Sequence, residues 1–281
     1  MIDDIICYKG LDLYDYHAIF RRNALRVYWR KTRADELKTG TKRMETMNLV
    51  TNAFLTLVLA ASVYADSFEL KQATFVSSDG ASTDSLYNYA AAVPVSQYYA
   101  DGHFYFSEIY TDNGLNIEAF ENIERVLVVG NVPGKYIETV TDAEKVTYDG
   151  EDPAEIAAAL SHEWVKTDEI VLTVYDPEPT TEQMLALKCA AEHAAFINAP
   201  LMYVTEDAVP GCTLLAGAGL GAESAYLYDF GGNVDRKIED TLTRAGFNIE
   251  AEFKEYKEAC LYREDILTAP DTGVPAGVVG L

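Results

Sequence analysis

The chain has 281 residues, with 45 Asp and Glu against 22 Lys and Arg and a formal net charge of −23. That length buries a sizeable core, as one large domain or two small ones. The acid is unevenly placed: residues 1–65 hold ten Lys/Arg and seven Asp/Glu, and residues 66–281 hold 12 against 38. A surface of this sign repels nucleic acid and other polyanions, which excludes them as partners, and favours solubility, cation binding or a salty medium.

Residues 1–43 are basic and aromatic and read as a prefix, either cytoplasmic or preceding the true start at Met44 or Met47. Residues 44–65 read as a secretory signal. Lys42 and Arg43 give a positive start, Leu49–Ala61 is an apolar run of signal-core length, and Val63-Tyr64-Ala65 presents a cleavage site between Ala65 and Asp66. A buried core helix is the alternative for the apolar run. It is too short to span a bilayer comfortably, and no second long apolar segment follows, so no transmembrane segment is expected after signal removal. Removal of the signal leaves Cys189, Cys212 and Cys260, an odd number. In an exported protein that suits one internal disulfide plus one intersubunit bond. Cys189 and Cys212 are the nearer pair, and Cys260, beyond the second module, is the intersubunit candidate; buried structural thiols are the alternative.

The rest of the chain alternates strand and helix. Ala73–Ser78 is a strand, Asp79–Thr83 a polar turn, Asp84–Ala100 a helix interrupted at Pro94, and Phe104–Ile109 a strand. A short helix over Asn116–Ile123 leads to the apolar strand Arg125–Val129 and then to the strand Lys145–Tyr148. Asp152-Pro153-Ala154-Glu155 has the chemistry of a helix start, with a capping side chain, Pro at the first helical position and an acidic first turn; the helix runs to about Trp164. Strands follow at Glu169–Tyr175, Leu201–Thr205 and Ser224–Phe230, and another opens the stretch Phe247–Tyr256. Between them lie a strong helix at Glu182–Asn198, a loose one at Thr213–Gly221, and one at Asn233–Ala245 that stops at Gly246. Residues 266–281 form an extended tail, and Thr268–Leu281 is rich in Pro, Gly and Thr and suited to adding onto a neighbour's sheet edge.

This order of elements is used twice. Thr74–Tyr110 lies over Val171–Asp207 without a gap: Asp79 meets Asp176, Thr83 meets Thr180, Ala92 meets Cys189, and Phe104 and Tyr105 meet Leu201 and Met202. The expected fold class is therefore α/β: two related modules, 66–150 and 151–265, each a mainly parallel sheet with helices on both faces.

Motifs for chemistry are sparse. Gly217-Ala-Gly219-Leu-Gly221-Ala222 matches a dinucleotide-binding pattern, but a strand follows it where a helix is required, so no nucleotide site is expected. His103, His162 and His193 sit at no metal-ligand or catalytic spacing, and neither G-x-S-x-G nor a Walker loop occurs. The expectation is a non-enzymatic protein. The loops after each module's first strand carry Asp79 and Asp84 in one and Asp176 and Glu178 in the other, which makes these four weak candidates for Ca2+, with helix capping as the alternative.

Three stretches carry a resemblance. Lys145–Ser161 is a strand, an acidic Gly turn and an Ala-rich helix. Ala186–Pro210 is an Ala-rich helix, an Asn-Ala-Pro turn, an apolar strand and an acidic loop ending in Pro. Ala225–Glu250 is a strand, Gly-Gly, a helix and a closing strand. In this order they resemble the type 2 cell-wall-binding repeat of exported surface-layer proteins. The resemblance implies stacked α/β modules at the cell surface and attachment to an envelope polymer. The acidic surface, the 19 tyrosines and the odd cysteine favour a surface-layer or sheath protein that assembles with copies of itself. A wall-polymer-binding module is the alternative, and an extracellular enzyme or solute-binding protein a third.

Overall fold

The structure, a computed structural model, describes residues 67–77, 82–101, 103–111, 123–138, 140, 142–260 and 262. The prefix, the signal with Ala65 and Asp66, Asp79, all but the last residue of the helix expected at Asn116–Ile123, and the tail lie outside them.

Two sheets organise the fold. The first contains β1 (Ser67–Val76), β2 (Gln97–Ala100), β3 (His103–Thr111), β4 (Arg125–Val129) and β5 (Glu144–Tyr148), in the order β2-β3-β1-β4-β5. The second contains β6 (Glu169–Val174), β7 (Leu201–Val204), β8 (Ser224–Tyr228) and β9 (Asn248–Phe253), in the order β7-β6-β8-β9. Apart from β2, which is antiparallel to β3, every pairing is parallel. With β2 set aside, the strand orders coincide: β1 corresponds to β6, β3 to β7, β4 to β8 and β5 to β9.

The helices are α1 (Thr83–Ser96), α2 (Gly134–Ile137), α3 (Pro153–Leu160), α4 (Thr181–Ile197), α5 (Gly211–Leu220) and α6 (Arg236–Arg244), with a 3-10 turn at Ser161–Glu163. Their starts follow from capping chemistry. The hydroxyl of Ser82 accepts the Ser85 N–H, and Asp152 accepts the Glu155 N–H. Thr180 and Gln183 form a reciprocal capping box. Helix α4 ends at Asn198, which takes the left-handed conformation at φ 53° before Ala199-Pro200.

Three apolar clusters define the layers. The largest lies between the sheets. It joins Val76, Leu127 and Val129 of the first sheet and Val171, Tyr203 and Tyr226 of the second to the Ala-rich faces of α1, α3 and α4. The opposite face of the second sheet (Ile170, Leu172, Val174, Leu227) is covered by Leu220 of α5 and by Ile238 and Leu242 of α6. The opposite face of the first sheet (Ala73, Phe75, Val126, Val128) packs with Val140 and Ile137. Each sheet thus has apolar cover on both faces, as a parallel sheet requires.

Three local expectations change. The helix expected over Asp84–Ala100 stops at Ser96, and Gln97–Ala100 pairs with β3 as a strand. Pro94 can donate no backbone hydrogen bond, and Tyr98 and Tyr99 suit a pleated edge, where Tyr98 stacks on Tyr105 at 5.2 Å. This hairpin also breaks the gapless overlay. Thr74 pairs with Ile109, whereas Val171 pairs with Leu201, so Ile109 and not Phe104 occupies the place of Leu201. The helix opened by Asp152 ends at Leu160 and tightens into the 3-10 turn. There Glu163 receives both guanidinium nitrogens of Arg125 (2.6 and 2.8 Å) and the hydroxyl of Tyr148, pinning the linker to β4 and β5.

Gly217 of α5 provides a stability test with an internal control. A methyl group there would lie 2.7 Å from the buried ring of Phe247, whereas at Gly219 it would meet nothing. Gly219→Ala gains about 0.5–1 kcal/mol of helix propensity. At Gly217 that gain is outweighed by overpacking of about 1–3 kcal/mol. In urea denaturation, Gly219→Ala is expected to raise the midpoint and Gly217→Ala to lower it.

Candidate functional site

The polar chemistry of the described residues concentrates where the carboxyl ends of the second sheet's strands meet α1, which is also where open α/β sheets place their ligands. Tyr87, in the second turn of α1, is fully buried there. Its hydroxyl donates to the carbonyl of Val174 at 3.1 Å and accepts the N–H of Asp176 at 3.2 Å. Its own carbonyl accepts the hydroxyl of Tyr203 at 2.5 Å. The Tyr87 ring meets Tyr175 and Tyr203 edge-on, with centroids 4.9 and 5.1 Å away. Burial pushes the Tyr87 phenol from 10.0 up to about 12 and that of Tyr203 well above its ordinary value.

The acidic candidates gather around this point. Asp84 accepts the Tyr175 hydroxyl at 2.7 Å. One oxygen of Asp176 accepts the Glu178 N–H at 2.8 Å, and the other accepts the Gln183 side chain at 3.4 Å. Glu178 is exposed. The structure therefore brings Asp84 and Asp176 to one junction, each carboxylate engaged by a neighbouring donor. Among the described residues, no group of three or more His, Cys, Asp or Glu side chains could hold a metal ion.

The turn after β8 is also held by its own side chains. Asp229, 1 % exposed, accepts the N–H groups of Asn233 and Val234 at 3.0 Å each, and burial raises its carboxyl. Elsewhere, the Tyr228 hydroxyl lies 3.0 Å from Nδ1 of His193, with both residues inside the core. His103 packs edge-on against Phe68, and His162 is exposed on the 3-10 turn. Cys189 is a buried thiol of α4, Cys212 a half-buried one in the first turn of α5, and Cys260 a half-buried one in the helical segment 256–260. Burial raises the Cys212 thiol. The Gly217–Ala222 pattern lies in the last turns of α5 and leads into β8, the reverse of a dinucleotide site.

Sequence reasoning missed Tyr87, Tyr175 and Tyr203. One signal was present: Tyr87 and Tyr89 are the only aromatic side chains in a helix whose other buried residues are small or aliphatic apart from Asn88.

No family model matches the chain, and no curated protein matches it. Solved structures do. Cwp8 from Clostridium difficile superposes with a TM-score of 0.53 at 15 % identity, over 82 % of this chain and 37 % of that one. Cwp6 from the same organism gives 0.49 at 16 % identity, over 70 % and 32 %. The likeness to Cwp8 is one of fold, and this chain spans little more than a third of that protein's length.

Tyr87→Phe keeps the rings and removes the hydroxyl that serves Val174 and Asp176. The expected loss is about 1–3 kcal/mol in urea denaturation, larger than for a Tyr→Phe change at half-exposed Tyr98. The raised phenol adds a pH dependence. Its contribution is intact below the unfolded value of 10.0 and is lost as pH rises through about 12. Stability measured across that window should fall less steeply in Tyr87→Phe than in the parent.

Proposed function

We propose that this is an exported cell-envelope structural protein that assembles with copies of itself at the cell surface, in the manner of a surface layer or sheath. The observation that carries the reading is the fold: two α/β modules, joined through one core, that superpose on the cell wall protein Cwp8. Two further features support it. At the carboxyl end of the second sheet, where open α/β sheets place ligands, Tyr87, Gln183 and Asp229 commit their polar atoms to the protein's own groups. The acidic surface suits cation-bridged contact between copies better than contact with an anionic wall polymer.

Electron microscopy of the purified protein, with and without millimolar calcium, tests this reading. Sheets, tubes or rings are the expected result. Dispersed particles in both conditions, together with co-sedimentation with purified envelope material, would replace it with a polymer-anchoring role.

A further inference from the structure

The proposal of self-assembly leaves open which surface copies share, and the structure narrows the choice. The junction between the modules is already closed. Helix α1 meets α4 and Tyr203, while Tyr99 of β2 stacks on Phe196 of α4 at 5.9 Å. A neighbouring copy must bind elsewhere, and two copies that each carry −23 repel one another over most of their surface. Close contact is therefore favoured where the surface is uncharged.

Helix α5, Gly211–Leu220, comes nearest to that condition, with Asp152 and Glu155 acting on Cys212 in its first turn. It is the one described helix of eight or more residues with no charged side chain. Its inner face is committed: Leu220 packs on the second sheet, and Thr213 donates its hydroxyl to the Tyr203 carbonyl at 2.9 Å. Its outer face is Gly211, Leu215, Ala218 and Gly219, spaced four, three and one residues apart, and all are exposed. Leu215 is 76 % exposed, one of three large apolar side chains so exposed among the described residues. Another, Val165 at 99 %, lies on the loop whose Thr167 N–H bonds the carbonyl of Leu220 at the end of α5.

The face is also self-complementary. Leu215 stands midway between two glycines four residues away on either side, and neither glycine has a neighbour within 4 Å of where its Cβ would be. When two such helices pack antiparallel about a dyad near Leu215, each leucine enters the space over a partner's glycine, in four-to-four ridge packing.

We infer that the outer face of α5, centred on Leu215, is a contact between copies of this chain, formed by two α5 helices packed against each other. The inference rests on the self-assembly reading. A contact made by one helix from each copy is weak alone and gains strength within an array.

Sedimentation velocity over a concentration series of the full chain, with Leu215→Glu, Leu215→Lys and Phe68→Glu, tests it. Both Leu215 variants are expected to weaken association at least about tenfold, since each buries an unpaired charge at the contact, while Phe68→Glu stays within about twofold of the parent. Opposite charges at Leu215 separate contact from overall repulsion: if net charge alone governed association, Lys would strengthen it. Helix content and melting midpoint confirm that the variants fold. Association of the parent with either Leu215 variant unaffected would overturn the α5 contact and leave self-assembly standing. A parent that stays monomeric throughout would overturn both.

Discussion

The fold depends on one buried residue that belongs to both modules. Tyr87 sits on a helix of the first module, yet its hydroxyl satisfies the carbonyl of Val174 and the N–H of Asp176 at the end of the second module's central strand. Its carbonyl is bonded in turn by Tyr203 from the neighbouring strand. A polar group buried without a partner costs about 1–3 kcal/mol, so the two sheets close on each other favourably only in the arrangement that pairs these groups. The apolar cluster between the sheets brings the modules together, and these bonds fix the arrangement in which they meet.

The space around Tyr87 explains the alanines. Helices α1 and α4 run between two sheets and against each other, and both bury alanines, Ala90, Ala91 and Ala92 on one and Ala186, Ala190, Ala191 and Ala194 on the other, all 2 % exposed or less. Small side chains let the helices approach closely while the branched residues of the strands fill the volume on either side. Arg125, Glu163 and Tyr148 play the corresponding part for the linker, holding the turn after α3 against the first sheet.

The acids have local tasks as well as a collective one. Asp152 caps α3, Asp235 caps α6, and Asp84, Glu155 and Glu182 lie in first turns, where a negative charge favours the helix dipole. Collectively they make the surface repulsive to like-charged partners. An uncharged helix such as α5 therefore stands out as a place where another acidic molecule can approach.

Much of the architecture was legible in the residues. Arg125–Val129 is a strand with the expected bounds, because a short run of β-branched and apolar residues closed by Gly130 has few other uses. Asp152-Pro153 starts a helix, and the duplicated order of elements reappears as the same strand order in two sheets. These features depend on neighbours close in the chain. The structure alone showed that Gln97–Ala100 leaves its helix for a sheet edge, that Ile109 stands where Leu201 does, that Asp84 and Asp176 share a junction, and that Tyr87 lies at its centre. The hairpin pairs residues 3 to 9 apart, and each of the others depends on groups 30 to 116 residues apart that no local pattern encodes. A phenol in an alanine-rich helix reads the same whether it faces water or the backbone of another sheet; packing decides between them.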